Sequence, residues 1–335
     1  MFNEMTMGQW TIMTVCAVVL DLIIGDPLAQ IHPIVLIGRL IGFLTKKMNH
    51  GGARRFKGFV MWLVVVAVTM LCTIGLQYLT FLYLRPVFYL INVWLLAMTL
   101  AEKSLKQSVL DVADALHQNI EEARIKVGYL VGRDTTKLDA DEIIRATVET
   151  TAENTIDGVL APYFYMLIGI GVSYFVPFLN PTVFALVYKA VNTMDSMVGY
   201  KQEPFTDFGC YPAKIDDVFN YLPARLGSYM MMIGGALLGY DAGNALRIYQ
   251  RDRWNHKSPN AGHPESVVAG LLHIRLGGDN VYFGEVVHKP TIGDADYPLA
   301  VSDIGQASTI MTTSEIVMVV VSTALFLAIG YAAGA

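Results

Sequence analysis

Residues 141–172 read DEIIRATVETTAENTIDGVLAPYFYMLIGIGV, and the change of character at Gly158 decides the fold class. Ahead of it, Asp141, Arg145, Glu149, Glu153 and Asp157 recur at four-residue intervals, a spacing that predicts one charged face on a helix. Behind it the chain is apolar enough to enter a bilayer. A row of carboxylates with one guanidinium therefore stands at a membrane boundary, where charge without a task is expensive. A solvated helix face with ordinary salt bridges is the plain structural reading. Three further polar clusters that also abut apolar segments favour a site.

Composition agrees on the class. Of 335 residues, 54% are hydrophobic and 16% charged, and the mean hydropathy is +0.44. That is too apolar for a soluble chain of this length and too interrupted for a pure channel bundle. The expectation is an all-α integral membrane protein, a polytopic bundle of about five to seven segments with helical cytoplasmic loops. A net charge of -5 with scattered basic residues gives nucleic-acid binding no support. Cys16, Cys72 and Cys210 form no CxxC or Cys/His set, so neither a disulfide framework nor a zinc site is indicated. No signal peptide is evident, and the first apolar run is expected to stay as a span.

Apolar runs at 10–24, 59–84, 86–101, 159–178 and 315–334 are expected to cross, since a span needs about 20 apolar residues. Residues 181–198 carry Lys189, Asn192 and Asp195, and residues 226–240 are short and Gly-rich, so both are ambiguous. Arg39, Lys46, Lys47, Arg54, Arg55 and Lys57 crowd the loop after the first run, which places that loop in the cytoplasm. Counting onward makes 102–158 a cytoplasmic helical segment. The whole chain is expected to be one membrane-embedded domain, with a polar segment at 241–312. A full crossing by 226–240 would put that segment on the face opposite the acidic helix, whereas a re-entrant or interfacial stretch would keep the two together. Asp139 precedes Glu142 by three residues, the pattern of a capping box.

Four polar clusters could carry chemistry. In GDPLAQIHPIVLIGRL, turn residues at a span exit explain most positions, leaving Asp26, His32 and Arg39 as ligand contacts. In GRDTTKLD, Arg133, Asp134 and Thr135 occupy a Gly-led turn able to receive an anion. It is not a Walker A loop, whose spacing is absent from the whole chain. In YKAVNTMDSMVGY and KIDDVFNYLPAR, Lys189, Asn192, Asp195, Asp216, Asp217, Asn220 and Arg225 combine carboxylates, amides and cations. Paired carboxylates with an amide suit Mg²⁺, and a structural salt bridge is the alternative. In HKSPNAGHPESVV, Ser258, Asn260, His263 and Glu265 are either a ligand loop or a loop that caps a helix.

Together these blocks resemble the CbiB/CobD adenosylcobinamide-phosphate synthases of cobalamin biosynthesis. The resemblance rests on LDLIIGDPLAQIHPIVLIGRLI, VGRDTTKLDADEIIRATVETTAENTIDGVLAPYFY, YKAVNTMDSMVGY, FGCYPAKIDDVFNYLPARL, and HKSPNAGHPESVVAGLL with LGGDNVYFG. They run in the family's order from residue 20 to about 284. The resemblance implies an inner-membrane ligase, with its site on the cytoplasmic side, joining a carboxyl of adenosylcobyric acid to aminopropanol or its phosphate. ATP and Mg²⁺ are implied with it, as are a corrinoid substrate, surrounding lipid and other cobalamin-assembly enzymes as partners. Glu149, Glu153, Asn154 and Asp157 are the expected catalytic group, and Asp195, Asp216, Asp217 and Asn220 the expected metal set. The remaining cluster residues, Lys189, Asn192 and Arg225 among them, would bind substrate or phosphate. Two other readings stay open: a Mg²⁺-dependent membrane prenyltransferase built on Asn192-x-x-Asp195 and Asp216-Asp217-x-x-Asn220, and a non-enzymatic sensor related to the AmpE group. The presence of all five blocks favours the enzyme.

Overall fold

The structure, a computed structural model, describes residues 4–26, 31–282, 285–287 and 290–332. Pro27 of the first turn block, Phe283 and Gly284 of the last block and the end of the final apolar run lie outside the described residues.

In chain order the helices are α1 (Met7–Ile24), α2 (Pro33–Met48), α3 (Arg54–Tyr83), α4 (Arg85–Ala97), α5 (Glu102–Gln118), α6 (Ile120–Gly128) and α7 (Ala140–Asn154). A π-helical turn, Thr155–Leu160, leads to α8 (Ala161–Ser173), α9 (Pro181–Val198), α10 (Cys210–Phe219), α11 (Tyr221–Leu237), α12 (Ala242–Asp252) and α13 (Gly262–Leu272). Four short strands follow: β1 (Leu276–Gly277), β2 (Asn280–Tyr282), β3 (Glu285–Val287) and β4 (Thr291–Ile292). β1 pairs antiparallel with β4, and β2 with β3. The long α14 (Ser302–Ala332) closes the chain.

This is a helical membrane protein. Five helical stretches among the described residues are long and apolar enough to cross a bilayer: Met7–Ile24, Arg54–Tyr83, Arg85–Gln118, Ala140–Ser173 and Ser302–Phe326. They match the five expected crossings, each shifted or lengthened at its polar end. The two ambiguous runs form α9 and α11, which are not among them.

The chain divides into two compact units, each assembled from separated stretches. Met1–Ala101, Ala161–Phe219 and Val321–Ala335 form the first. In it α9 packs against α2, α3, α4, α8 and α10, and Ile37, Ile41, Met61, Val65, Val191, Met194 and Phe208 make a shared core. Large apolar side chains such as Ile12, Leu71 and Leu90 point outward, as lipid-facing residues do. Inside, Gln77 donates to Asn92 Oδ1 at 2.6 Å and Asn180 Oδ1 at 3.0 Å, while Asn180 returns a bond to Gln77 Oε1 at 2.9 Å. Thr182 donates to Asn92 Oδ1 at 2.6 Å, and Asn180 caps α9.

Glu102–Leu160 and Asn220–Val320 form the second unit. Here α13 is buried along its whole length and packs against α7, α11 and α12. Val112, Ala115, Ala123, Val127, Leu138, Ile143 and Ala146 join α5, α6 and α7. The capping box at Asp139 and Glu142 is present, with both side chains bonded to the other residue's backbone N–H. The polar segment 241–312 is joined directly to the acidic helix: Gly277 accepts a hydrogen bond from Arg145 and donates its N–H to Glu149.

Candidate functional site

The acidic row starts as the spacing implies and then departs from it. α7 carries Arg145, Glu149 and Glu153 as a regular helix, but Asp157 falls in the π turn, where i→i+5 bonding widens the helix and breaks the four-residue register. Two local causes act here. Thr147, Thr151 and Thr155 each donate to the carbonyl four residues back at 2.6–2.7 Å, a competition that loosens the ladder. Pro162, just beyond, has no N–H for the carbonyl of Gly158 and would crowd it in an α-helix. The expected single face is thus corrected: it runs from Asp141 to Glu153 and does not continue to Asp157.

Glu149 is the knot of this unit. Its Oε2 accepts from Arg133 Nη2 at 2.5 Å, with both side chains nearly buried, and its Oε1 accepts from the backbone N–H of Gly277 at 2.8 Å. Arg145 grips the same turn through the carbonyls of Gly277 at 2.5 Å and Asp279 at 3.0 Å. The turn demands glycine: Gly277 and Gly278 sit at φ +75° and +83°, and a Cβ at Gly277 would lie 2.4 Å from the Pro290 carbonyl oxygen. The GRDT and LGG turns are therefore both tied to α7 through one buried carboxylate. Glu153, one turn on, is exposed, and Asn154 donates to the Thr150 carbonyl at 2.9 Å.

In the GRDT turn, Asp134 accepts from the backbone and hydroxyl of Thr136 at 2.9 and 2.7 Å. The backbone bond from Thr136, followed by its hydroxyl, holds the Asp134 carboxyl below its ordinary range. Asp134 shapes the turn, and Thr135 supplies the carbonyl that receives Leu138 N–H at 3.3 Å.

The SPNAG loop forms a second cluster in the same unit. Ser258 Oγ accepts from the N–H groups of Asn260 and Ala261, and His256 lies 3.9 Å from Glu265. Arg225 donates through Nη1 to the Tyr221 carbonyl at 2.6 Å and to Asn260 Oδ1 at 3.3 Å. Its guanidinium lies 3.4 Å from the Tyr221 ring centroid and 5.6 Å from that of Trp254. His263, 1% exposed, shares a 2.9 Å hydrogen bond with the Tyr249 hydroxyl through Nδ1 and packs edge-on to Trp254. Burial first, then the positive charges of Arg225 and Arg253, push its pKa down to about 4, so the ring is neutral at pH 7.

The first unit holds the remaining candidates. Asp195 lies in the last turn of α9, and Gly199 makes room for it: a Cβ there would stand 1.9 Å from Asp195 Oδ1. Burial first and the charge of Asp217 second raise the Asp195 pKa to about 6, against an opposing pull from Lys201. Burial likewise raises Asp217. Asn192 Nδ2 approaches Asp216 Oδ1 at 3.5 Å, and Lys189 lies one turn earlier on α9. Asn220 is the first residue of the second unit. Among the described residues no three His, Cys, Asp or Glu side chains form a ready metal-binding group. The donor set still fits Mg²⁺, which keeps several waters and takes one or two carboxylates together with phosphate oxygens, and the mutual repulsion of Asp195 and Asp217 is what a cation would relieve. At the chain's first turn, His32 Nδ1 caps α2 by accepting from Ile34 N–H at 3.3 Å, while Nε2 meets Asp26 at 3.4 Å. Arg39 is exposed on α2.

Local sequence reasoning did not single out Gly277, Gly278, Tyr221, Tyr249 or Trp254. The glycines carried a signal in the GG pair of LGGDN. The aromatic residues carried none, because their place beside Arg225 and His263 is a tertiary fact.

Carboxylate, guanidinium and amide clusters within a polytopic helical bundle define the class as a helical membrane protein with polar side-chain clusters. The family described as CobD/Cbib protein matches residues 14–311. A Cobalamin biosynthesis protein CobD from Clostridium perfringens is 44% identical over 297 residues, 88% of this chain and 90% of that protein. A Cobalamin biosynthesis protein CbiB from Salmonella typhi is 43% identical over 330 residues, 97% of each. Another CobD, from Listeria monocytogenes, is 41% identical over 317 residues, 92% of this chain and 96% of that protein. This chain belongs to the CobD/CbiB family. No solved structure matches it.

Proposed function

We propose that this chain acts in cobalamin biosynthesis as an ATP-dependent amide ligase, joining adenosylcobyric acid to (R)-1-amino-2-propanol or its O-phosphate. The observation that carries the reading is the Glu149 knot. It ties two blocks of the family resemblance, far apart in the chain, into one compact unit and leaves Glu153 exposed one turn further along α7.

Amide formation from a carboxylate needs activation, because its oxygen is a poor leaving group. In the proposed sequence a carboxylate oxygen of the corrinoid attacks the γ-phosphoryl group of ATP, and ADP departs. The amine, deprotonated by a general base, then attacks the acyl phosphate, and inorganic phosphate leaves with the C–O bond electrons. Glu153 is the assigned base, since Glu149 already holds Arg133 and the Gly277 turn. Asn154, next to Glu153, and Asp157, in the π turn beyond it, are assigned as positioning residues. Asp195, Asp216 and Asp217 would supply the carboxylates for Mg²⁺, which when bound supplies charge neutralisation for phosphate oxygens. Lys189 stands as the cation for phosphoryl charge. Asp26, just past α1, and Arg39, exposed on α2, would contact the corrinoid's polar rim. The chain would sit in the cell's inner membrane with its site on the cytoplasmic side, where ATP is supplied.

The test is turnover by purified protein in nanodiscs with adenosylcobyric acid, aminopropanol phosphate, ATP and Mg²⁺, following the corrinoid by mass. An ATP-dependent product heavier by one amide-linked aminopropanol phosphate supports the proposal. Intact corrinoid under conditions where the protein binds it overturns the assigned reaction.

A further inference from the structure

Buried donors normally have acceptors, and the exceptions call for an explanation in a ligand, an ion or water. In the second unit two such exceptions flank one aromatic ring. Arg225 Nη2 and His263 Nε2 are both buried with no hydrogen-bond partner, and both side chains pack against Trp254. Arg225's other terminal nitrogen is already committed to the Tyr221 carbonyl and Asn260, so the guanidinium is fixed in place while Nη2 remains available. His263 is fixed in the same way by Tyr249. When the Tyr249 hydroxyl donates to Nδ1, the ring proton resides on Nε2, which becomes a donor.

Two buried donor nitrogens on side chains packed against one indole, one of them cationic, with Arg253 stacked on Trp254 at 5.5 Å, favour an acceptor that carries negative charge. A water would satisfy a neutral donor, whereas an anion also compensates the charge of the guanidinium. The nearby carboxylate, Glu265, lies against His256 at 3.9 Å. A tetrahedral oxyanion presents several acceptor oxygens at once and suits a guanidinium paired with a neutral imidazole.

We propose that Arg225 Nη2 and His263 Nε2 form a phosphate-binding subsite walled by Trp254 and Tyr221. It rests on the ligase reading only for the identity of the phosphate's bearer, which is either the nucleotide or a phosphorylated amine. The subsite itself stands on geometry. Arg225 is a binding residue in this scheme, Asn260 and Tyr249 are positioning residues, and Trp254 is the optical reporter.

The experiment titrates inorganic phosphate, ATP and aminopropanol phosphate into the full chain in nanodiscs, reading tryptophan fluorescence and calorimetric affinity. Trp254→Phe assigns the optical signal. At least one of the three ligands is expected to bind the wild type, with inorganic phosphate competing. Arg225→Lys, which keeps the charge and removes the fork, and His263→Gln should each weaken that ligand at least tenfold. Unphosphorylated aminopropanol should be unaffected. Dependence on Arg225 for ATP alone names the nucleotide as the bearer, and for aminopropanol phosphate alone names the amine. If none of the three binds the wild type, or if both variants bind within twofold of it, the subsite is overturned. The wild-type measurement is independent of whether the variants fold. Phosphate binding without any amide product would leave the subsite standing and sink the ligase instead.

Discussion

Two buried polar clusters in this molecule are made from similar groups and differ in one respect. In the first unit, Gln77, Asn92, Asn180 and Thr182 are fully enclosed and satisfy one another, with Asn92 also donating to the Phe88 carbonyl at 2.8 Å. In the second unit, Arg225 and His263 each keep a buried nitrogen without an acceptor. A closed network inside an apolar bundle holds helices together and has no capacity for anything else. An open one is costly by itself, and that cost is recovered when a ligand supplies the missing acceptors.

The sharpest break comes from residues assigned to chemistry. Glu153→Gln should lower amide formation by about 10²–10⁴-fold, and Asp217→Asn should also abolish it, while both variants insert and melt like the wild type. Near-normal turnover in both would remove the assigned site. Next in size is Glu149→Ala. It strands Arg133 in a buried environment, 5% exposed, and should cost about 3–5 kcal/mol of stability. Protease resistance and thermal melting would register this, and unchanged melting would show that the knot does not anchor the turns. Gln77→Leu tests the closed network: it should cost about 0.6–2 kcal/mol and leave turnover and phosphate affinity alone. A loss of activity without a loss of stability would put that network in the site.

The last test is a pH dependence. His263 has a folded pKa near 4, below its value of about 6.5 in an unfolded chain. The unfolded state therefore takes up the proton first as pH falls. The stability tied to neutral His263 is complete above about pH 6.5 and is lost as pH drops toward 4. His263→Gln should flatten that part of the stability curve, as measured by melting across the interval. A curve of the same slope in the variant would show that His263 does not carry the effect.

The composition and the apolar runs by themselves determined a helical membrane protein of about five to seven segments, because burial in lipid requires long apolar runs and shows directly in the residue order. Short-range patterns were equally legible: Asp139 and Glu142 three residues apart make their capping box from local geometry alone. The ordered polar blocks likewise carried the family. What only the tertiary structure decided concerns partners far apart in the chain. Glu149 reads as one acid among four until Gly277, 128 residues away, is found donating to it. Asp157 reads as the next member of the row until the threonine bonds and Pro162 replace the α turn by a π turn. The closing of the Gln77 network across 103 residues and the missing acceptors at Arg225 and His263 have no local signature, because hydrogen-bond satisfaction is set by the folded neighbours rather than by the order of residues.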